Sequence, residues 1–303
     1  MKGRPFSAGA SLQIYMSMDE YYFCSDLHGS RHRYEMLFQA VLEGSPRAVF
    51  LGGDILPGAV TMLAADTAEY DFVEEVLAAG MSRLRELMGG MYPEVFIILG
   101  NDDGRYEEEA LLQGEKRGLW RYAHGRVLQL DGYQVYGYSF VPPTPFRLKD
   151  WEKYDVSRFV DPGAIHPYQG VRTVPASEYE MRYSTISDDL KEMTEGKDLS
   201  RAIMLFHSPP YDTLLDRAAL DGVKVDHAPL DVHVGSIAIR RMILTRQPLV
   251  TLHGHVHESA GITGHWMDRL GGTVMMGGAH DGPELALVRF DPERPASASR
   301  DLL

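Results

Sequence analysis

Seven side chains of the kinds that bind divalent metal ions follow short hydrophobic segments of this 303-residue chain. They are Asp26, His28, Asp54, Asn101, His207, His255 and His257. Carboxylate and amide oxygens combined with imidazole nitrogens, with no thiolate among them, suit Mn, Fe, Zn, Co or Ni. Such a set differs from the cysteine-rich ligands of structural zinc sites. The sequence therefore predicts a centre for two divalent metal ions.

Asp54 stands alone between two groups of candidate ligands. A carboxylate has two oxygens, and each can bind a different ion when the ions lie about 3.5 to 4 Å apart. We therefore expect Asp54 to bridge the two metals. Two divalent ions held close together lower the pKa of a bound water toward neutrality and so supply a nucleophile.

Each group of candidate ligands comes directly after a short run of β-branched, aromatic or aliphatic residues. The runs are 21–24, 48–51, 95–99, 202–206 and 249–252. Such runs are typical of buried strands. In open α/β sheets, ligands bind at the carboxyl edge of the strands, because the loops that leave this edge converge on one crevice. We therefore expect all seven side chains to meet at that edge.

These blocks, in this order, resemble the motifs of the calcineurin-like metallophosphoesterases. The family's D-x-H, G-D, G-N, H and G-H-x-H motifs correspond to Asp26-Leu27-His28, Gly53-Asp54, Gly100-Asn101, His207 and Gly254-His255-Val256-His257. The segments that begin at His207 and His233 are similar, less specifically, to a prokaryotic subgroup of predicted phosphoesterases. The resemblance implies an α/β fold, a four-layer αββα sandwich of two mixed β-sheets flanked by helices.

The resemblance also implies how the ligands divide between the two metals. The first ion would be held by Asp26, His28, Asp54 and His257. The second would be held by Asp54, Asn101, His207 and His255. A hydroxide bridging the ions would be the nucleophile, and Mn is the metal expected to support activity in vitro.

One position departs from the family pattern. Many members have His directly after the metal-binding Asn, as a general acid or a phosphate contact, and this chain has Asp102. A carboxylate there repels a phosphate dianion unless it is protonated, metal-bound or turned away. It donates a proton at pH 7 only if its pKa is strongly raised. A phosphodiester carries one negative charge where a monoester carries about two, so Asp102 favours a phosphodiesterase.

Two further residues are candidates for catalytic roles. Asp103 corresponds to the acidic residue that orients the family's His, and without that His it supports Asn101 or binds Arg105. His32, which begins the helix after the first ligand loop, is a candidate to replace the missing acid or to contact phosphate. The remaining histidines have the default interpretation of packed or surface side chains.

Composition limits the partners and the location of the protein. A net charge of -13, from 30 basic and 43 acidic residues, argues against a nucleic-acid-binding face. The single Cys24 cannot form an intramolecular disulfide, which fits a reducing compartment. No apolar run of about 18 residues is present to span a membrane, and residues 1–18 lack a signal-peptide pattern. The expected location is cytoplasmic.

A single metallophosphoesterase domain is expected over residues 19–293, between flexible tails at 1–18 and 294–303. Residues 141–176 are rich in proline and aromatic residues, so we expect an irregular insertion there. Such a segment is a lid or binding loop whose rings stack on a nucleobase, a surface for oligomer contacts, or cover for a sheet edge.

Hydrophobic periodicity and turn signals predict the other elements. Helices are expected over 31–43, 66–88 and 235–245. Strands are expected over 127–130, 134–140, 260–266, 272–277 and 284–290, the first two joined by a turn at Asp131-Gly132.

The leading functional hypothesis is a two-metal-dependent phosphodiesterase that hydrolyses small anionic phosphoesters. One alternative is a weakly active or non-catalytic metal-binding scaffold or sensor. Others are a nuclease and a phosphomonoesterase. The complete ligand set favours an enzyme, the acidic composition disfavours a nuclease, and Asp102 in place of His disfavours a phosphomonoesterase.

Overall fold

Two six-stranded mixed β-sheets lie at the centre of the protein, and helices flank them. The computed structural model describes residues 20–59 and 71–303. The predicted four-layer αββα sandwich is confirmed. The predicted tail at 1–18 and the first part of the helix predicted over 66–88 lie outside the described residues.

The first sheet has the strand order β14-β13-β1-β2-β3-β4. Its strands are β1 Tyr21–Cys24, β2 Ala48–Gly52, β3 Glu94–Ile98, β4 Arg121–Tyr122, β13 Ala286–Phe290 and β14 Ser299–Leu302. β1 to β4 pair in parallel, while β13 is antiparallel to both β1 and β14. The carboxyl ends of β1, β2 and β3 therefore lie at one edge.

The second sheet has the order β11-β12-β10-β7-β6-β5. Its strands are β5 Val127–Leu130, β6 Tyr133–Tyr138, β7 Ala202–Phe206, β10 Val250–His253, β11 Met267–Leu270 and β12 Thr273–Gly277. β8 Lys224–Val225 and β9 Ala228–Pro229 form a separate two-stranded ribbon. β6, β7, β10 and β12 are parallel. The hairpin at Asp131-Gly132 is confirmed, and both residues have the positive φ that a two-residue turn requires.

The helices are α1 Arg31–Gly44, α2 Ala79–Met88, α3 Glu108–Lys116, α4 Glu178–Arg182, α5 Ile186–Thr194, α6 Ile237–Arg246 and α7 Ser259–Thr263. A π-helical turn, Val73–Ala78, leads into α2. Short 3-10 turns lie at Gly89–Met91, Arg105–Glu107 and Pro295–Ser297. Ser30 and Ser236 cap α1 and α6 by accepting hydrogen bonds from backbone amides. Among the described residues, none of these helices combines the length and apolar character needed to traverse a bilayer.

Alternation along the strands divides the core into an inner layer and an outer layer. Phe23, Phe50 and Phe96 point to the same side of three neighbouring strands, and the rings of Phe50 and Phe96 stack 5.2 Å apart. The second sheet closes this inner layer with residues that include Ile203, Leu205, Val250 and Leu252. Tyr22 and Leu51 point the other way, into the cluster that also contains helix side chains. Both faces of the central strands β1, β2, β7 and β10 are therefore buried, which holds their ends firmly.

The prediction of a strand over 260–266 is wrong, because residues 259–263 form helix α7. Ser259 donates its hydroxyl hydrogen to the Leu214 carbonyl, and Thr263 donates to the Ser259 carbonyl. The Thr263 bond lies within one helical turn, and the Ser259 bond ties the helix to the loop at Leu214. Gly264, with φ of 72°, ends the helix, and the strand begins only at Met267.

The tail predicted over 294–303 is also wrong, because residues 299–302 form edge strand β14. The strand pairs antiparallel with β13, and Arg289 forms an ion pair with Asp301 across the two strands. Leu303 exchanges two backbone hydrogen bonds with Leu285, both 2.9 Å long. Main-chain pairing and a charge pair, rather than an apolar pattern, fix this end of the chain.

The segment 141–176 forms no regular helix or strand along its described length, as predicted. It is nevertheless well packed. The rings of Trp151 and Tyr154 are buried, so they serve the core and are not free to stack on a nucleobase. Lys149 and Glu152 form an ion pair with both side chains fully buried, and Lys149 also donates to the Thr144 carbonyl.

Candidate metal centre

The carboxyl edges of five strands bring the predicted ligands together. The residues that follow β1, β2, β3, β7 and β10 are, in order, Asp26 with His28, Asp54, Asn101, His207, and His255 with His257. Main-chain bonds tie the loops to one another: the Asp26 amide donates to the Gly53 carbonyl at 3.0 Å, and the Gly254 amide donates to the His207 carbonyl at 2.9 Å. Between the sheets, the His255 amide donates to Oδ1 of Asp26 at 3.0 Å. The two sheets therefore share one crevice, as expected for the carboxyl edge.

Backbone strain concentrates at this edge. Asp26, His28, Asp54 and His255 have φ values of 57°, 46°, 48° and 74°. Such left-handed conformations cost a non-glycine residue about 1 to 3 kcal/mol each and persist only where the surrounding structure enforces them. Four strained residues in one crevice are a feature of functional sites rather than of ordinary turns.

The motif positions must be glycine because the space beside them has no room for a side chain. A Cβ atom on Gly254 would lie 2.0 Å from the Ser25 hydroxyl oxygen, and one on Gly100 would lie 2.4 Å from an Asp54 carboxylate oxygen. A Cβ atom on Gly53 would lie 2.6 Å from Nδ1 of His207. The Gly-Asp, Gly-Asn and Gly-His pairs therefore let the loops approach closely enough for the ligands to converge.

The first cluster contains Asp26, His28 and His257, whose donor atoms all lie within 4.8 Å of one another. Nε2 of His257 is 3.1 Å from Nε2 of His28 and 3.1 Å from Oδ1 of Asp26. Metal–nitrogen bonds of about 2.0 to 2.1 Å place neighbouring ligand nitrogens roughly 3 Å apart. The spacing and the donor types therefore fit one divalent ion.

The second cluster contains Asp54, His207 and His255, again within 4.8 Å. Nε2 of His207 lies 3.2 Å from Oδ2 of Asp54 and 3.0 Å from Oδ1 of Asn101. Nδ1 of His207 lies 2.8 Å from the Gly52 carbonyl. With a proton on Nδ1 donated to that carbonyl, Nε2 is free to bind a metal, so this set also fits a divalent ion.

Buried charges dominate the electrostatics of the second cluster. Burial acts to raise the pKa of Asp54, but His207 and His28 lower it below its ordinary value. Burial acts to lower the pKa of His207, but Asp54 and then Asp26 raise it to about 9. Burial lowers the pKa of His255 to about 3, and the neighbouring His207 adds to this. A neutral His255 beside an ionised Asp54 provides the protonation states that metal binding requires.

In the more exposed first cluster, burial and neighbouring charges again shift the pKa values in opposite directions. Burial acts to raise the pKa of Asp26, but the hydrogen bond and the charge of His257 lower it. Burial acts to lower the pKa of His28, but Asp102 and then Asp54 raise it to about 9. Asp54 therefore interacts electrostatically with His207 of one cluster and His28 of the other. A carboxylate that bridges two metal ions would occupy such a position.

Asp102 lies at the mouth of the crevice with 40% of its side chain exposed, and its Oδ2 is 3.3 Å from Nδ1 of His28. Its backbone amide donates to Oδ1 of Asp54 at 2.7 Å. The carboxylate thus pairs with a histidine instead of pointing unpaired at the centre. Of the three conditions under which an acidic residue is tolerated beside phosphate, the structure favours the third, because the carboxylate is turned toward Nδ1 of His28 and not toward the cluster that Nε2 faces.

The other two predicted catalytic residues lie outside both clusters. Asp103 is fully buried and accepts hydrogen bonds from the amides of Ile55, Leu56 and Gly100. Burial and then Asp54 raise its pKa to about 8, against the effect of these amides. It joins the Asp54 and Asn101 loops, while Arg105 pairs with Glu180 instead. His32 is exposed in the first turn of α1.

Sequence reasoning missed two supporting residues. Arg33 donates to the backbone carbonyls of Asp26 and Gly282, so it ties the first ligand loop to the loop before β13. The Ser25 hydroxyl donates to the Gly52 carbonyl at 3.0 Å. Arg33 follows the D-x-H motif closely, but nothing in the sequence shows that its partner is a loop about 250 residues away.

An αββα sandwich with two clusters of oxygen and nitrogen ligands at one strand edge is an arrangement suited to binding two divalent ions. A family model for calcineurin-like phosphoesterases matches residues 21–259. The chain therefore belongs to the calcineurin-like phosphoesterase family.

Individual relatives are more distant. The chain is 33% identical over 82 residues to the uncharacterized protein MJ1162 of Methanocaldococcus jannaschii, a match that covers 26% of this chain and 32% of that protein. The crystal structure of TT1561 of Thermus thermophilus has a TM-score of 0.54 at 16% identity, over 94% of this chain and 99% of that one. A dimetal phosphatase from Danio rerio has a TM-score of 0.47 at 10% identity, over 90% of this chain and 92% of that one. The likeness to the Thermus protein shows the fold alone.

Proposed function

We propose that this phosphoesterase uses two divalent ions to hydrolyse small anionic phosphodiesters. The observation that carries the proposal is the pair of three-residue clusters at one strand edge, each with donor atoms within 4.8 Å. Asp54 belongs to the second cluster and interacts electrostatically with His28 of the first. This position supports the role of Asp54 as the carboxylate shared by both ions.

The ligands would divide between the ions according to these clusters. The first ion would be held by Asp26, His28, His257 and the shared Asp54. The second would be held by His207, His255, Asn101 and the same Asp54. Two divalent ions there would activate water and neutralise the phosphoryl oxygens, with Mn the expected metal in vitro.

The chain's own groups prepare this arrangement. The Asp102 amide fixes the orientation of Asp54 through its bond to Oδ1, and the Gly52 carbonyl fixes the ring of His207. Asp26 is held by the His255 amide at 3.0 Å. Ligands anchored by main-chain groups are positioned before substrate arrives, which reduces the reorganisation that the reaction requires.

The preference for diesters rests on the charge at the crevice mouth. Asp102 adds a half-exposed carboxylate where substrate must enter. A monoester dianion meets more repulsion there than a diester monoanion does. In addition, a diester with a good leaving group has less need of the acid that His supplies elsewhere in the family.

The test is turnover after metal reconstitution. Metal-stripped protein would be supplied with Mn and assayed on mono- and bis-(p-nitrophenyl) phosphate from about pH 6 to pH 9. We expect metal-dependent hydrolysis with a higher kcat/KM for the diester. A higher value for the monoester would overturn the substrate preference. Two bound ions without turnover of either ester would favour the scaffold or sensor alternative.

The proposal includes a cytoplasmic location. Cys24 is free and fully buried in β1, which suits a reducing compartment. Cell fractionation with an antibody against the chain tests this, and recovery from a secreted or periplasmic fraction would contradict it.

A further inference from the structure

Asp102 is fixed in place by its backbone before its side chain makes any contact. Its amide donates to Oδ1 of Asp54 at 2.7 Å, and its carbonyl accepts from the Ala59 amide at 3.0 Å. These bonds place Asp102 beside His28, and its Oδ2 lies 3.3 Å from Nδ1. The loop backbone therefore holds the carboxylate within reach of the ring.

The other nitrogen of the same ring faces the first cluster. Nε2 of His28 lies 3.1 Å from Nε2 of His257, so the two rings direct their Nε2 atoms toward the same point. A ring that donates Nδ1–H to a carboxylate keeps the lone pair on Nε2, and the negative charge makes that nitrogen a stronger donor to a metal. With an ion bound by the first cluster, Asp102 would support His28 as a metal ligand in the carboxylate–histidine–metal arrangement.

The second cluster uses a different acceptor for the same purpose. Nδ1 of His207 lies 2.8 Å from the backbone carbonyl of Gly52. A carbonyl fixes the ring, but it polarises the ring less than an ionised carboxylate does. Of these two metal-facing rings, only His28 has a side-chain carboxylate on its far nitrogen.

We propose that Asp102 is the positioning residue of the first metal site: it orients and polarises His28, and it is not the general acid of the reaction. This rests on the proposed two-metal function and deepens it. One residue then serves both ions, because its amide holds the shared Asp54 and its carboxylate holds a ligand of the first ion. The leaving group would then take its proton from solvent, so we expect good leaving groups to be preferred.

A second variant can displace this carboxylate without changing Asp102 itself. A Cβ atom on Gly58 would lie 2.6 Å from Oδ2 of Asp102. Gly58→Ala should therefore push the carboxylate away from His28. If the Asp102 carboxylate supports His28, Gly58→Ala should reproduce part of the effect of removing that carboxylate.

The experiment is calorimetric titration of the metal-stripped full chain with Mn²⁺, followed by visible spectroscopy with Co²⁺. The variants are Asp102→Ala, Asp102→Asn and Gly58→Ala. Asp131→Asn is the matched control, because its side chain is 41% exposed and paired with Arg47 at a hairpin turn. Loss of a partner that supports a metal-binding His weakens metal affinity by about 10- to 100-fold.

We expect two Mn²⁺ ions in the wild type, with Asp102→Ala weakening one site by about 10- to 100-fold and leaving the other within about twofold. Asp102→Asn, which keeps an acceptor oxygen, should restore part of the affinity, and the Co²⁺ spectrum of the weakened site should shift. Unchanged affinity at both sites in Asp102→Ala would overturn the inference alone. If Asp102→Ala binds both ions normally but its kcat no longer falls at high pH, Asp102 is a general acid. That result would also overturn the inference. Fewer than two ions in the wild type would overturn the proposed function itself.

Discussion

The two halves of the metal centre occupy the same strand edge but differ in exposure. In the second cluster the side chains of His207 and Asp54 are 0% and 4% exposed. In the first cluster His28 and His257 are 29% and 33% exposed, while Asp26 is fully buried. His255 of the second cluster is partly exposed. The second cluster is therefore the more buried half, and the two histidines of the first cluster form the open half. We expect substrate and exchanging metal to approach from the open half.

The halves also differ in what holds their histidines. His207 is oriented by the main chain of β2 through the Gly52 carbonyl, and His28 is paired with the side chain of Asp102. A main-chain acceptor is present whatever residue follows Asn101, whereas a side-chain acceptor depends on that residue. Substitution at position 102 can therefore change metal binding in the open half while the buried half stays unchanged.

The largest effect is expected where the two halves meet. Asp54→Asn keeps the shape of the side chain but removes the charge and one of the two oxygens that would bridge the ions. We expect at least one ion to be lost and kcat/KM to fall by roughly 10³-fold or more, since the ions contribute several kcal/mol of transition-state stabilisation. Metal content by elemental analysis and kcat on the diester measure both effects. Asp131→Asn is the control, and full activity in Asp54→Asn would end the two-metal hypothesis.

Stability should separate the halves most clearly. In metal-free protein His207→Ala leaves Asp54 buried without its protonated partner, which should lower the free energy of unfolding by about 3 to 5 kcal/mol. His257→Ala should cost less, because the His257 side chain is 33% exposed and water can replace the lost imidazole beside the buried Asp26. Its partner Asp26 keeps the hydrogen bond from the His255 amide. Urea unfolding in the presence of EDTA measures both values.

Equal losses in the two variants would contradict the division into a buried and an open half. Circular dichroism of each variant before denaturation is the control, because both must start from the native fold. With saturating Mn²⁺, both variants should lose metal-linked stabilisation, since each lacks one ligand.

The sequence predicts the ligand set because each motif is local and chemically specific. Asp26 and His28, for example, lie two residues apart after an apolar run. The partner of Asp102 could not be predicted, because its contact with His28 joins two loops that follow different strands. Chemistry written in short motifs is visible in a sequence, whereas contacts between loops depend on strand order and register.

The strands likewise divide into those that the sequence predicts and those that it does not. β1, β2, β3, β7 and β10 are visible as apolar runs because both sheet faces are buried. β14 has no such run and is held by backbone pairing with β13. In the segment 141–176, proline content predicts irregular structure, but not the fully buried pair of Lys149 and Glu152. Elements stabilised by polar or main-chain contacts leave little hydrophobic periodicity to detect.

A smaller effect is expected from pH, and it involves both halves. The pKa values of His28 and His207 are raised from 6.5 to about 9 in the metal-free protein. A group whose pKa rises on folding contributes stability that is complete below its unfolded pKa and is lost as pH rises through the folded one. The Tm of metal-free protein should therefore fall between about pH 6.5 and pH 9.

Bound Mn²⁺ should reduce this fall, because metal ligation requires neutral imidazoles at every pH. Calorimetric scans with EDTA and with Mn²⁺ across the same range measure the difference. His28→Gln should remove only the contribution of the open half and keep that of His207. A metal-free Tm that is constant over this range would show that neither histidine is paired as the structure has it.

The smallest effect should come from restoring the family's residue at the crevice mouth. Asp102→His removes a negative charge from the path of the substrate and supplies a group able to donate a proton to the leaving group. At saturating Mn²⁺ we expect the monoester to diester ratio of kcat/KM to rise by roughly tenfold, the upper end of what a single removed charge at a half-exposed site provides. The diester rate itself should not improve, because His28 loses its carboxylate partner. Asp102→Asn, which removes the charge without adding an acid, separates the two contributions. An unchanged ratio in both variants would show that the charge at position 102 does not set the substrate preference, and would leave the support of His28 as its only role.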